Sequence, residues 1–181
     1  MRPLLIGLLL SLSACGFHLA GSRPLPVPLK SVYIDVVSPY TVSEPPLETA
    51  LRGLLQRRGA KVVGAPGDAA TVVRLSELNE GRQVLSLGTD GKALEFQLIT
   101  SVRYEVVSGA VELVPPDVLR VTRDYSFNAQ QVLAKEAEEE RLREYIQGEL
   151  AELLMLRIEA VLAHSATTGN APAKTSGAVP P

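Results

Sequence analysis

The chain has 181 residues, a formal net charge of −2 at pH 7 and one cysteine, Cys15. This charge balance gives no global basic excess and therefore does not indicate a nucleic-acid partner. A single cysteine excludes an intramolecular disulfide. Because there is no tryptophan and only 4% of the residues are aromatic, the core of the one expected domain must be mostly aliphatic.

The N-terminus has the three-part layout of a secretory signal peptide. One basic residue, Arg2, precedes an apolar run of about nine residues, which is too short to span a bilayer. The Leu-Ser-Ala-Cys end resembles the lipobox of bacterial lipoproteins. We therefore expect residues 1–14 to be a cleaved signal peptide and Cys15 to carry covalent N-acyl and S-diacylglycerol groups, with no other cofactor. The alternative is an ordinary signal peptide with a chance cysteine.

The residues after Cys15 predict a location and a tether. By resemblance to the sorting rule of double-membraned bacteria, where Asp after the cysteine favours the inner membrane, Gly16 predicts anchoring in the outer membrane, on its periplasmic side. Proline stands at every second position from Pro24 to Pro28, which blocks a helix and disfavours a central strand. Residues 15–30 are therefore predicted to be an extended tether.

The folded domain is predicted to span residues 31–164 and to open with a strand and a helix. Residues 32–37 are rich in branched side chains and read as a strand. The helix is predicted to begin near Pro45 and Pro46. Proline has no backbone N–H, but the N–H groups of the first helical turn have no acceptor within the helix, so proline is tolerated there. The helix ends at Gly59, and its apolar stripe consists of Leu47, Leu51, Leu54 and Leu55.

Three strands and a helix follow. Strand character runs from about residue 70 to 78 and continues, more weakly, over 83–87, before an Asp-Gly hairpin signal. Residues 94–106 alternate between apolar and polar side chains, which is typical of an antiparallel sheet with one wet face. Residues 109–116 are predicted to be a loop, and 119–127 another half-polar strand.

The last helix carries an apolar stripe from Leu142 to Leu162, and the Ala/Thr/Ser/Gly/Pro composition of residues 165–181 predicts a disordered tail. The element order predicts an α+β fold in which two helices pack on one face of a four-stranded, mostly antiparallel sheet. The first strand could join that sheet in parallel through the helical crossover. The other face of the sheet stays polar.

The sequence contains no recognisable catalytic set. His18 and His164 lie far from any Ser-Asp pattern, and there is no zinc, redox or phosphate-loop motif. The acidic run 136–140 is expected to be a solvated helix start, because hydrolysis by paired carboxylates needs them facing a cleft at fixed separation. The chain is therefore predicted to bind rather than catalyse, and to hold no metal.

Two segments then resemble the LPS-assembly lipoprotein family, LptE: Arg82 to Phe96, and Tyr-Ser-Phe-Asn at 125–128 followed by Val-Leu-Ala-Lys-Glu at 132–136. The resemblance extends from Cys15, where Cys-Gly-Phe-His-Leu matches the family's start, to about His164. It implies an outer-membrane lipoprotein with two helices on a four-stranded sheet. Such a protein plugs the LptD β-barrel in a one-to-one complex, helps to assemble it and takes part in delivering lipopolysaccharide to the outer leaflet.

The resemblance also implies lipopolysaccharide-binding residues. Lys135 matches a basic family position, and its ammonium could meet a lipid A phosphate; the alternative is a solvated lysine. In the hairpin the aligned residue is Thr89 and the nearest base is Lys92, the alternative being a plain turn with a soluble lysine. Arg82 and Arg103 are candidates for adding positive charge to the polar sheet face, unless each is merely solvated.

Two other function classes remain as alternatives. A free lipid-binding carrier on the periplasmic face would need an apolar cavity between the sheet and the helices. A lipoprotein hydrolase is disfavoured by the missing catalytic set. The alternating strands favour the plug, because barrel lumens are polar and require a hydrogen-bonding exterior.

Overall fold

The computed structural model describes residues 24–37, 45–69, 71–128 and 132–169. Cys15, the predicted signal peptide and residues 170–181 of the predicted tail lie outside the described residues. In chain order, the elements are β1 (Ser31–Val37), α1 (Pro46–Arg57), β2 (Lys61–Val62), β3 (Thr71–Leu87), β4 (Ala93–Ser108), β5 (Val111–Ser126) and α2 (Val132–Gly169), with 3-10 turns at Val27–Lys30 and Pro66–Asp68.

The strands form one mixed sheet in the order β2-β1-β3-β4-β5. β1 is parallel to both of its neighbours, whereas β3, β4 and β5 are joined as antiparallel hairpins. The predicted α+β class and two helices are confirmed, and β1 does join in parallel after the crossover through α1. The predicted four-stranded, mostly antiparallel sheet is wrong in two details, because β2 is a fifth strand and two of the four strand pairings are parallel. The two residues of β2 are too few to show any alternation in the sequence.

β5 begins earlier than the sequence predicts. The loop expected at residues 109–116 is wrong, because a tight turn at Gly109, with φ of 57°, leads directly into the strand. Pro115 and Pro116 lie inside β5, where a register shift sets them opposite Glu105. A proline removes a ladder donor, and β5 tolerates two of them because it is an edge strand.

The boundaries of the domain are wider than predicted. Leu29, in the predicted tether, is fully buried in the core. The carbonyl of Pro28 accepts a hydrogen bond of 2.6 Å from the Thr71 hydroxyl, so the end of the tether is part of the fold. The fixed φ of proline also suits a 3-10 turn, which explains why alternating prolines do not require an extended chain. At the other end, α2 continues past residue 164 to Gly169.

Both helices pack on the same face of the sheet. The buried side chains of this core come from β1, β3, β4, β5, α1 and α2, and include Val32, Ile34, Val73, Leu75, Val102, Tyr104, Val114, Val121, Leu47, Leu51, Leu55, Ile146, Leu150, Leu154 and Ile158. Burying each such side chain stabilises the fold by about 1.5–3 kcal/mol. Arg58 at the end of α1 forms an ion pair with Glu159 of α2, which adds a polar link between the helices.

The core lies against only part of α2. The helix has 38 residues, yet none of its described side chains before Ile146 is buried. Charged residues recur along that outer part, and no helix in the described ranges is both long and apolar enough to cross a membrane. In the described outer part of α2, Leu142 is partly buried against the core, and the remaining turns must be held to the sheet by polar contacts.

Candidate ligand-binding end of the sheet

A β-bulge in β3 decides which side chains reach α2. Ser76 pairs with Arg103 and Asn79 pairs with Ser101, so Glu77 and Leu78 together stand opposite the single residue between those partners. Glu77 adopts a positive φ of 49°, which is uncommon for a residue with a side chain. Such a bulge shifts the alternation of the strand by one residue.

The shift moves Arg82 to the helical side of the sheet. Before the bulge, the odd-numbered Val73 and Leu75 are buried under the helices; after it, the even-numbered Glu80 and Arg82 bond to side chains of α2. The hypothesis that Arg82 adds charge to the polar face is therefore wrong. The sequence does contain a sign of the bulge. Strict alternation would place the next apolar residue two positions after Leu75, but it stands three positions on, at Leu78.

Glu139 of α2 collects hydrogen bonds from two strands and from its own helix. Its Oε2 accepts from the Tyr125 hydroxyl at 2.5 Å and from Arg82 Nη1 at 2.8 Å. Its Oε1 accepts from Arg143 Nη2 at 2.7 Å, one helical turn further on. Only 15% of the Glu139 side chain is exposed, and charge-assisted bonds in such a setting are stronger than neutral ones. This carboxylate joins β3, β5 and α2.

These bonds set the protonation state of the site. Burial alone would raise the pKa of the Glu139 carboxyl, but hydrogen bonds from Tyr125, Arg143 and Arg82 outweigh it and lower that pKa to about 2. Burial, and then donation to Glu139, raise the pKa of the Tyr125 phenol. At neutral pH the phenol is therefore a proton donor and the carboxylate a charged acceptor.

Further polar contacts run along α2 as far as Glu149, and together with those of Glu139 they form what we call the polar seam between α2 and the sheet. Glu80 forms an ion pair with Arg143 at 3.3 Å and accepts a hydrogen bond from the side-chain amide of Gln147, which is 3% exposed. Arg123 of β5 forms an ion pair with Glu149. The seam is polar where the core is apolar, and it holds the first turns of α2 in place.

The Phe96 ring also contacts Arg82. The guanidinium carbon lies 4.5 Å from the centre of the Phe96 ring, within the range of a cation–π contact. That ring stacks on Tyr125, with centroids 5.8 Å apart, and meets Phe127 edge-on at 5.2 Å. The Arg82 side chain is thus oriented by a ring and a carboxylate together, while 45% of it stays exposed.

The β3–β4 hairpin carries the predicted residues Thr89 and Lys92. The turn is closed by the Gly88 amide donating to the Lys92 carbonyl at 2.8 Å, and Gly91 supplies the positive φ of 77° that the predicted Asp-Gly turn needs. Thr89 is exposed in the turn. The Lys92 side chain is 71% exposed, and its ammonium lies 3.1 Å from Asp90. The amide of Lys92, followed by its side chain, lowers the pKa of Asp90.

Lys135 lies at the same end of the molecule as the hairpin. Its ammonium forms an ion pair of 2.7 Å with Glu138 and lies 3.5 Å from the Ser126 hydroxyl. Ser126 is the register partner of Glu95, at the base of the hairpin. We call this part of the molecule the hairpin end and define it as residues 82–96, 125–127 and 133–139.

The hairpin end combines cations with exposed apolar side chains. Five large aliphatic residues there are between 47% and 83% exposed: Val84, Leu85, Leu87, Leu94 and Leu133. Contiguous exposed apolar surface marks an interaction site more often than isolated apolar residues do. Cations beside apolar groups suit an amphiphile with an anionic head.

Arg103 does not belong to this group. It lies on the opposite face of the sheet, eight residues along β4 from Glu95, or roughly 26 Å at the rise of an extended strand. There it forms an ion pair of 3.0 Å with Glu77. The structure therefore brings together Lys135, Lys92 and Thr89, adds Arg82, and separates Arg103 from them.

The face that carries Arg103 is polar, as the alternation predicts. Arg74 lies between Asp35, at 3.0 Å, and Glu105, and so joins three neighbouring strands. The Gln83 amide donates to Gln97, which in turn donates to Asp124, each at 2.8 Å. Neither helix covers this face. It is a ladder of charged and amide side chains.

The chain is similar in sequence to one family of known proteins. A model of the LptE family, described as lipopolysaccharide-assembly, matches residues 29–158. The chain is 30% identical over 175 residues to the LPS-assembly lipoprotein LptE of Photorhabdus laumondii, covering 96% of this chain and 92% of the relative. It is 29% identical over 157 residues to that of Pectobacterium atrosepticum, covering 86% and 83%.

Solved structures show the same fold. Lipoprotein B of Nitrosomonas europaea superimposes with a TM-score of 0.62 at 26% identity, covering 86% of this chain and 94% of that one. Rare lipoprotein B of Shewanella oneidensis gives a TM-score of 0.58 at 26% identity, covering 76% and 96%. The family match over residues 29–158 covers α1, most of α2 and the hairpin end. The chain therefore belongs to the LptE family of lipopolysaccharide-assembly lipoproteins.

Proposed function

We propose that this protein is an outer-membrane lipoprotein that plugs the LptD β-barrel in a one-to-one complex and helps to assemble it. In that complex it takes part in delivering lipopolysaccharide to the outer leaflet and binds lipopolysaccharide directly. The observation that carries the proposal is the family match over residues 29–158, together with relatives named for lipopolysaccharide assembly that are covered over most of their length. Nucleic acid is not a proposed partner.

The open sheet face supports the plug. A protein seated in a barrel lumen needs an exterior that hydrogen-bonds, because lumens are lined by polar side chains. The face that carries Arg74, Arg103 and Gln97 offers donors and acceptors of both charges along long strands. A mixed polar surface of this kind can exchange partners with the lumen wall without burying unpaired groups.

The packing between sheet and helices favours the plug over the free carrier. A carrier needs an apolar space between these layers. Here Tyr104 of β4 and Leu150 and Leu154 of α2 fill that interface, and each is at most 1% exposed. The hairpin end, by contrast, leaves aliphatic side chains exposed beside cations, which supports ligand binding at the surface.

The anchor belongs to the same proposal. Cys15 lies outside the described residues, and its N-acyl and S-diacylglycerol groups would hold the protein on the periplasmic side of the outer membrane. More than one acyl chain is needed for stable anchoring, and a lipidated cysteine supplies them. Replacement Cys15→Ala is expected to move the protein from the membrane to the soluble periplasmic fraction in cells that lack the barrel partner. Retention on the membrane in those cells would contradict the anchor.

A purification tests the plug. Outer membranes that carry the tagged full chain are solubilised in mild detergent, and the protein is isolated through its tag. We expect a heat-modifiable barrel protein to co-purify at a one-to-one ratio. Isolation of the tagged chain as a monomer with no barrel protein would contradict the plug.

A binding measurement tests the ligand. The detergent-solubilised chain is titrated with fluorescent lipopolysaccharide at several salt concentrations. Replacement Lys135→Asp is expected to weaken binding and to flatten its dependence on salt, because screening acts on the contact between the ammonium and the phosphate. The matched control is Lys61→Asp, in β2 at the far edge of the sheet, which is expected to bind as the wild type does. Equal binding by wild type and Lys135→Asp would remove Lys135 from the site.

A further inference from the structure

The contacts and exposure of Arg82 are not fully explained by a structural role in the polar seam. Its guanidinium lies on the Phe96 ring at 4.5 Å and is held by Glu139 at 2.8 Å, yet 45% of the side chain faces solvent. A guanidinium has five N–H donors in a rigid planar fork. Nη1 donates to Glu139, and the guanidinium also has a side-chain hydrogen bond with Tyr125. These contacts occupy the inner part of the fork, and a ligand can reach the exposed part.

Lys135 lies close to this guanidinium. Residues four apart on a helix lie one above the other, with Cβ atoms about 6 Å apart, so Lys135 is one turn from Glu139 on the same side of α2. Glu139 bonds to Arg82 directly. The Lys135 side chain is 14% exposed, and its ammonium pairs with Glu138 and lies 3.5 Å from the hydroxyl of Ser126, the residue after Tyr125. Both cations therefore lie where the start of α2 meets the end of β5.

We propose that Arg82 is a ligand-contacting residue of the hairpin end, where its guanidinium binds a phosphate group of lipopolysaccharide together with Lys135. This inference rests on the proposed direct binding of lipopolysaccharide. Arginine matches phosphate through two parallel hydrogen bonds, whereas lysine acts as a point charge. The ring beneath the guanidinium and the carboxylate beside it hold the fork in one orientation before the ligand arrives, which lowers the entropic cost of binding.

The surroundings of Arg82 fit the rest of an anionic amphiphile. Val84 follows two residues later on the same face of β3 and is 50% exposed. Leu94, across the hairpin, is 49% exposed, and Leu133, two residues before Lys135, is 83% exposed. A phosphate bound between the cations would place attached acyl chains beside these side chains. The site therefore suits a phosphorylated lipid better than a free anion.

Arg103 provides a matched control. It lies in the same sheet, its side chain is 42% exposed, and it forms one ion pair of 3.0 Å with a carboxylate, that of Glu77. It differs from Arg82 in lying on the opposite face, away from Lys135. The comparison of Arg82→Gln with Arg103→Gln therefore separates a local role at the hairpin end from the general loss of one positive charge.

The experiment titrates the detergent-solubilised full chain with fluorescent lipopolysaccharide. We expect Arg82→Gln to weaken binding about tenfold, the usual size of a lost charge-assisted hydrogen bond. Arg103→Gln should bind as the wild type does. With dephosphorylated lipid A, wild type and Arg82→Gln should bind equally, and inorganic phosphate should compete only weakly with the lipid. Phosphate that displaces the lipid completely at low concentration would show a site for the free anion instead.

The outcomes also separate this inference from the proposed function. If Lys135→Asp weakens binding and Arg82→Gln does not, Arg82 is no ligand contact and the proposed function stands. If the wild type binds no lipopolysaccharide, direct binding fails and this inference fails with it. Should Arg82→Gln lower the melting temperature, Arg82→Lys decides: it keeps the charge beside Glu139 but loses the fork, so affinity should fall at an unchanged melting temperature. Unchanged affinity in Arg82→Lys would overturn the inference.

Discussion

The hydroxyl of Tyr125 donates a hydrogen bond of 2.5 Å to Oε2 of Glu139, and this bond joins the edge strand β5 to the outer turns of α2. The inner part of the same helix is held differently, by Ile146, Leu150 and Leu154 in the apolar core. α2 thus has two attachments of different chemistry. The stability of an apolar interface does not depend on the ionisation of its own side chains, whereas a polar seam depends on every partner being present and correctly charged.

Replacement Glu139→Gln should loosen the outer part of α2. The amide keeps the shape but loses the charge that Arg82, Arg143 and Tyr125 share, and a group left without its charged partner costs about 1–3 kcal/mol. We expect faster hydrogen exchange over residues 133–145 and little change at Leu150, measured on the full chain at pH 7. Glu140→Gln, at an exposed position on the same turn, is the control and should exchange as the wild type does.

The same carboxylate should make stability depend on pH in a defined window. Its pKa is about 2 in the fold, against an ordinary value of 4.5, so the folded state favours the charged form. The stabilisation is complete above pH 4.5 and is lost as the pH falls through 2. It amounts to about 1–2 kcal/mol once solvent screening is allowed for.

Urea unfolding between pH 5.5 and 2.5, with wild type and Glu139→Gln in parallel, measures this term. The difference between their free energies of unfolding should shrink as the pH falls, because the glutamine cannot be protonated in this range. A constant difference across the series would mean that Glu139 contributes through packing and not through its charge.

The packing of the inner part of α2 in the apolar core gives a prediction about burial and not about charge. Leu154 is fully buried and Leu156, two residues on, is 62% exposed. Leu154→Ala should cost about 2–5 kcal/mol, through lost burial and the cavity left behind. Leu156→Ala should stay within about 0.5 kcal/mol, as surface changes do. Denaturant titration of both variants checks the assignment, and similar losses in the two would show that the helix is rotated from the described orientation.

Much of the fold follows from local patterns in the sequence. The leucine spacing of α1, Pro46 in its first turn and the Asp-Gly hairpin each predict their element correctly, because they record backbone geometry that neighbours in the chain decide. β2 and the start of β5 do not follow, since pairing across the sheet creates them. The two residues of β2 and the pair Pro115-Pro116 become strand only beside a partner.

The candidate site, like the fold, is only partly predictable from local sequence patterns. The resemblance predicts Lys135, Lys92 and Thr89, which stay predictions, whereas the sequence pattern puts Arg82 on the wrong face and gives no sign of the role of Glu139. Strict alternation along β3 puts Arg82 on the wet face, and one bulged residue at Glu77 reverses that result. Glu139 reads as one more acidic residue in a helix start. Its importance comes from Tyr125 and Arg82, which the sequence places far from it.

The bulge itself is open to a direct test at Glu77. A left-handed conformation costs a residue with a side chain about 1–2 kcal/mol, and glycine adopts it freely. Glu77→Gly should therefore keep or raise the free energy of unfolding, since the exposed ion pair with Arg103 that it removes contributes little. Glu77→Val should lower it by more than about 1 kcal/mol, because a branched residue resists positive φ. Higher stability in the valine variant would mean that β3 runs without a bulge, and Arg82 would then face away from α2.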